Sequence, residues 1–172
     1  FPLTADQLRA INEIKQDLEK PWPMTRLLQG DVGSGKTLVA FFAMLLAVER
    51  REQAALLCPT ELLAKQHADT AARLLEPLGV RLALFTGSID TKARKLLLEA
   101  LSNGEIDIII GTHALFSDNV LYHKLSLIII DEQHRFGVSQ RLALSSKGEK
   151  PDILLMSATP IPRTLALTVY GD

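Results

Sequence analysis

Gly30-Asp31-Val32-Gly33-Ser34-Gly35-Lys36-Thr37 reads G-x-x-x-x-G-K-[ST] without a mismatch, the spacing of a loop that wraps phosphate groups. Gly30, Gly33 and Gly35 carry no Cβ. The backbone there can take positive φ angles and bring its N–H groups against phosphate oxygens. Lys36 has the reach for β- and γ-phosphates, the Thr37 hydroxyl is a magnesium ligand, and the helix that follows adds the positive end of its dipole. A plain glycine-rich turn before a helix is the alternative. A strand, the loop and a helix standing in that order favour the phosphate loop.

Asp131-Glu132 is the second anchor, directly after the aliphatic run at residues 127–130. A carboxylate just past a buried strand can hold the magnesium that Thr37 also ligates, directly or through water. Glu132 is placed to polarise or deprotonate an attacking water. An isolated Asp-Glu pair is more simply a solvated turn, and it is the phosphate loop in the same chain that gives this one a catalytic reading. Gln133 and His134 can hydrogen-bond toward a γ-phosphate, or to Ser157 and Thr159.

These groups need elements to hold them. Residues 5–19 have Leu8, Ile11, Ile14 and Leu18 at helical spacing, and Thr4 with Gln7 forms T-x-x-Q, a capping box. An exposed aromatic with Gln7, whose amide both donates and accepts, would equally suit a purine edge. Pro21-Trp22-Pro23 ends the segment, with Trp22 read as packing. A helix is expected over 38–50. The continuous apolar runs at 54–58, 106–110, 127–130 and 153–156, with 81–85, read as strands buried on both faces of a parallel sheet. Helices are expected from Thr60, an N-cap, to about residue 76 and over 90–103, with Gly79 and Gly104 as terminators. In the latter, Leu96, Leu97, Ala100 and Leu101 are expected inward, and Lys92, Arg94 and Lys95 outward.

Strands alternating with helices predict an α/β three-layer sandwich with a largely parallel central sheet. In such sheets ligands bind beyond the carboxyl ends of the strands. That rule gathers Gly30 to Thr37, Pro59 to Glu61, Thr86 to Ser88, Gly111 to His113, Asp131 to His134 and Ser157 to Pro160 along one edge. Lys65, Gln66 and His67, near the start of a helix, could rest against a nucleic-acid backbone. Arg135, Arg141 and Arg163 are each more simply surface arginines.

Across the 172 residues, 47% are hydrophobic and 23% charged, which excludes an intrinsically disordered chain. Lys+Arg of 19 against Asp+Glu of 20 leave a net charge of -1. No global basic field advertises nucleic acid, so any such contact must be local. Cys58, the single cysteine, reads as a small core residue. With no apolar run long enough for a bilayer, the expectation is no membrane partner and a cytoplasmic setting.

Phe1 to Gln7, GDVGSGKT, CPTELLAKQH, TGS, IIGTHAL, IIIDEQHRFGVSQR and MSATPIPRTLALTVYGD, in that order, resemble the first motor lobe of a superfamily 2 helicase, over essentially the whole chain. DEQHRFGV followed by ATPIPRTLAL resembles more narrowly the bacterial branched-DNA translocases within it. The transcription-repair coupling factor has a similar motor but usually reads D-E-E-H, so Gln133 favours the former.

The resemblance implies a RecA-like P-loop lobe using ATP and Mg2+. It implies adenine contacts for Phe1, Leu3 and Gln7; phosphate, metal and catalytic roles for Gly30, Asp31, Val32, Gly33, Ser34, Gly35, Lys36, Thr37, Asp131, Glu132, Gln133 and His134; and coupling through Ser157, Ala158 and Thr159. It places Pro59, Thr60, Gln66, Thr86, Gly87, Gly111, Thr112 and His113 against DNA. In such lobes the strand ending at Ser157 lies between those ending at Gly30 and Asp131. The implied activity is an ATP-dependent helicase acting on duplex and branched DNA, forks and Holliday junctions included, in a bacterial cytoplasm. Nothing in residues 1–172 matches a second motor lobe or a DNA-splitting wedge domain. A monomeric fragment with little turnover of its own is therefore expected. A small-molecule kinase would need an arginine-bearing lid that the chain does not offer. A nucleotide-binding regulatory module, indifferent to DNA, is the alternative of another class.

Overall fold

The computed structural model describes residues 3–30, 35–132, 147 and 151–157, with the backbone alone at 116 and 166–169. Phe1, Asp31, Val32, Gly33, Ser34, Gln133, His134, Arg135, Arg141, Ala158, Thr159, Pro160 and Arg163 lie outside the described residues.

Helix α1 (Ala5–Leu18) leads to strand β1 (Thr25–Gln29), then α2 (Lys36–Glu49), β2 (Gln53–Leu57) and α3 (Glu61–Leu75). Next come β3 (Leu82–Phe85), α4 (Thr91–Ser102), β4 (Ile108–Gly111), β5 (Leu125–Ile130), β6 (Asp152–Ser157) and β7 (Ala166–Val169). They form a seven-stranded sheet of order β3-β4-β2-β5-β6-β1-β7. The first six strands run parallel, and β7 pairs antiparallel with β1. Strand β6 sits between β5 and β1, as expected.

The sheet separates two cores, and alternation along each strand decides which side chain joins which. Ala54, Leu56 and Cys58 face α1, α2 and α3, together with Ile108, Ile110, Leu127 and Ile129. Ala55, Leu57, Ile109, Ile128 and Ile130 face the opposite layer, where α4 contributes Leu101 and the segment before β5 contributes Leu115 and Val120. Burial on both faces is why these strands read as unbroken aliphatic runs.

The helix starts follow the sequence. Thr4 and Gln7 form the reciprocal capping box, Thr60 accepts from the Leu63 N–H and Asp90 from the Ala93 N–H. Gly79 adopts φ +83° where the 3-10 turn Glu76–Leu78 stops. At Gly111 any Cβ would lie 2.1 Å from the Phe85 carbonyl oxygen, so the close approach of β3 and β4 requires glycine.

Four side chains depart from their expected positions. Leu8 is exposed, because α1 turns Gln7, Ala10, Ile14 and Leu18 inward and leaves Leu8 at the edge of that stripe. Leu96 is also exposed: α4 buries Leu101 fully and packs Leu97, Leu98 and Ala100 partly, a stripe too narrow to include it. Arg94, expected outward, is half-buried with its guanidinium 5.2 Å from the Phe85 ring centroid. Trp22 is no core residue; it is 62% exposed, with the Lys20 ammonium 5.9 Å from its ring.

At the amino ends of the strands Gln53 uses its whole amide. Nε2 donates to the Leu101 and Ile106 carbonyls, both at 2.9 Å, and Oε1 accepts from the His123 and Lys124 N–H groups at 2.8 and 3.0 Å. A buried glutamine with all four bonds made ties α4, β4 and β5 to β2.

Candidate functional site: a phosphate loop facing a strand-end carboxylate

Gly35 sits at φ +86° and caps α2 with backbone alone. Helices α1, α3 and α4 have side-chain caps; α2 has none, and no acidic residue occupies its first turn. Its N–H groups and positive dipole end are thus left for an anion. Lys36 and Thr37 are the first two residues of that helix, and the Lys36 ammonium donates to the Gly30 carbonyl at 3.2 Å. The lysine lies back across the loop it belongs to.

Gln7 is buried beside this loop. Its Oε1 accepts from the Thr4 N–H at 2.9 Å, and its Nε2 donates to the Gly35 carbonyl at 3.3 Å. The capping box thus brings the Gln7 amide to the end of the phosphate loop, with both of its polar atoms bonded to backbone. Leu3 lines a neighbouring apolar cavity of about 170 Å³ with Leu38, Phe41 and Leu78.

Strand β6 carries Ser157 to the same edge, where the Gly30 N–H donates to the Ser157 carbonyl at 3.2 Å. On its other side β5 ends at Ile130 and delivers Asp131, whose N–H donates to the Leu57 carbonyl at 2.8 Å. Two strand spacings, about 10 Å, thus separate the chain at Gly30 from the chain at Asp131. Glu132 follows with φ +51°, a left-handed conformation uncommon outside glycine, in the turn that leaves the strand.

Asp131 is buried and its Oδ2 lies 2.8 Å from His67 Nε2. His67 was expected at a DNA-facing surface with Lys65 and Gln66; only those two are exposed. The signal was in the helix itself. With Ala64, Ala71 and Leu75 buried, position 67 falls on the inward stripe of α3.

Cys58 Sγ, His67 and Asp131 bring one ligand atom each within 4.8 Å of one another. Burial, then the charges of Asp131 and Glu132, push the Cys58 thiol far up, as befits a small protonated core group. Of the other groups at this edge, the Asp131 carboxylate and the Thr37 hydroxyl are hard oxygens of the kind that suits magnesium. Its chemistry there would be charge neutralisation on bound phosphates.

The other strand ends reach the same edge. Pro59 and Thr60 open α3, with Thr60 and Gln66 exposed. Gly87 and His113 are exposed, whereas Thr86, Gly111 and Thr112 are buried. Thr86 Oγ1 lies 3.1 Å from Ser88 Oγ, which donates to Glu61. Among the described residues, the Thr112 hydroxyl is buried without a hydrogen-bond partner.

The profile of the DEAD/DEAH box helicase family matches residues 4–168. The chain belongs to that family. This helicase domain is 64% identical over 179 residues to the ATP-dependent DNA helicase RecG of Treponema pallidum (strain Nichols), covering 100% of the chain and 26% of the relative. It is 57% identical to RecG of Bacillus subtilis (strain 168), again over 100% of the chain and 25% of the relative. The domain spans about a quarter of the length of the curated relatives it matches. Among solved structures it superposes with TM-score 0.83 and 45% identity on a RecG bound to a three-way DNA junction, over 95% of this chain and 22% of that one. No helix among the described residues is long and apolar enough to cross a membrane.

Proposed function

We propose that this domain is the ATP-binding motor lobe of a DNA translocase that couples hydrolysis to movement on duplex DNA and to branch migration or fork reversal. The observation that carries this is the pairing of an uncapped α2 start, bearing Lys36 and Thr37, with the buried Asp131 carboxylate across β6 on one sheet edge. The loop from Gly30 to Thr37 would hold the ATP phosphates, and Thr37 and Asp131 would hold magnesium, which would neutralise charge on those phosphates. Glu132 activates the attacking water, while Gln133 and His134 sense the γ-phosphate. Phe1, Leu3 and Gln7 hold the adenine.

Ser157, Ala158 and Thr159 transmit nucleotide state to a second motor lobe elsewhere in the whole protein, whose arginine completes the site. Such arginine fingers contribute roughly a thousandfold or more in rate, so the isolated domain, a monomer, turns ATP over slowly.

DNA rests on Pro59, Thr60, Gln66, Thr86, Gly87, Gly111, Thr112 and His113. The exposure of Thr60, Gln66, Gly87 and His113 along that edge supports this. The likeness to a RecG bound to a three-way DNA junction supports branched DNA as the substrate, and the bacterial RecG relatives support a bacterial cytoplasm as the setting.

In the intact protein, Lys36→Ala should abolish ATP-driven unwinding of a three-way junction while junction binding persists. Unwinding that survives the substitution would refute the motor reading.

A further inference from the structure

Side-chain torsions decide how well a carboxylate can serve a metal. The terminal torsion of aspartate is broad, so an Asp at a strand end presents its oxygens in many orientations unless one of them is held. Asp131 is anchored through its backbone by the bond to Leu57, which leaves that torsion unconstrained.

Helix α3 supplies the constraint. Thr60 fixes its start by accepting from the Leu63 N–H at 3.2 Å, which sets Ala64, His67, Ala71 and Leu75 along the face turned to the sheet. Alanines one turn before and one turn after His67 let the helix lie close to the end of β2. The His67 ring is held by the edge-on ring of Phe41 from α2, with centroids 6.5 Å apart and planes at 84°. Nε2 lies 2.8 Å from Asp131 Oδ2, with the two side chains only 14% and 10% exposed. A carboxylate oxygen only accepts, so the ring nitrogen donates.

We infer that His67 is a positioning residue for the magnesium carboxylate: by occupying Asp131 Oδ2 it leaves Oδ1 as the oxygen for the ion that accompanies the nucleotide. Partners of this kind orient a ligand they do not replace, and losing one typically costs about 10–100-fold in metal affinity. The inference rests on the nucleotide-site reading and adds to it a residue from the helix that carries Gln66.

The test measures binding of a fluorescent ADP analogue to the intact protein across a magnesium titration and in EDTA. His67→Leu should raise the magnesium concentration for half-maximal binding about tenfold or more, with affinity in EDTA changed by no more than about twofold. His67→Gln, whose amide can donate from a similar position, should recover most of the loss. A His67→Leu protein that titrates like wild type, or that loses affinity equally with and without magnesium, would overturn the inference, as would a Gln variant as poor as the Leu one. Asp131→Ala serves as the separate control. If it leaves the titration unchanged, the nucleotide-site reading itself fails and this inference falls with it.

Discussion

Gln7 and Gly35 meet across 28 residues: the Gln7 amide donates to the Gly35 carbonyl at 3.3 Å, and a Cβ on Gly35 would lie 2.0 Å from the same nitrogen. The first helix is thereby bolted to the last turn of the phosphate loop. The bond also explains why Gly35 needs to be glycine for two separate reasons, since its φ is +86°.

Those reasons predict different rescues. Gly35→Ala should lower stability by about 1–2 kcal/mol through its left-handed backbone alone and, with a backbone shift that costs the loop about 1.4 kcal/mol of binding energy, weaken nucleotide binding about tenfold. Adding Gln7→Ala removes the clash but not the backbone strain. The double variant should regain part of the melting temperature and little of the nucleotide affinity, as thermal melts and ADP titrations would show.

Gln53 holds four backbone groups at once, two carbonyls and two N–H groups. Gln53→Leu would leave all four without this partner in a buried place. The expected loss is about 3 kcal/mol or more in urea unfolding. Nucleotide affinity measured well below the midpoint should hardly change, because Gln53 lies at the opposite end of the strands from Lys36.

Asp152, at the start of β6, accepts from the Met24 N–H, and burial pushes its carboxyl up to about 6 from 3.8. Glu52 and Asp17 push the same way, while the Met24 bond and Arg50 oppose them. Between those values the folded chain keeps a proton that the unfolded chain has released. This group's contribution to stability is therefore full below 3.8 and is lost as pH rises through about 6. Asp152→Asn, whose amide oxygen can still accept from Met24, should flatten the decline in melting temperature across that window. A melting profile with unchanged slope would contradict this.

The strand and helix that flank the Gly30 to Thr37 motif are legible because the motif is unbroken and because strands buried on both faces spell themselves as aliphatic runs. Asp131 followed from the run before it. His67 did not, since a histidine within Lys65-Gln66-His67 looks like part of a basic surface until the phase set by Ala64 and Ala71 is imposed. Leu8 and Leu96 show the same limit from the other side: both sit at the shoulder of a helical stripe, where spacing alone cannot say which leucine the sheet will reach. Trp22, with no basic or aromatic cluster beside it in the sequence, reads as packing, yet Lys20 two residues away is its partner at the surface. The antiparallel β7 was hidden because residues 166–169 were read as motif rather than as an edge strand.

The central claim is that Glu132 activates water in a DNA-driven motor. It is tested most directly by steady-state ATP hydrolysis in the intact protein, with and without forked DNA, for wild type and Glu132→Gln. Turnover should rise with the fork, and Glu132→Gln should lose about 100-fold or more while Mg-ATP still binds. Turnover indifferent to DNA, or left intact by Glu132→Gln, would contradict it.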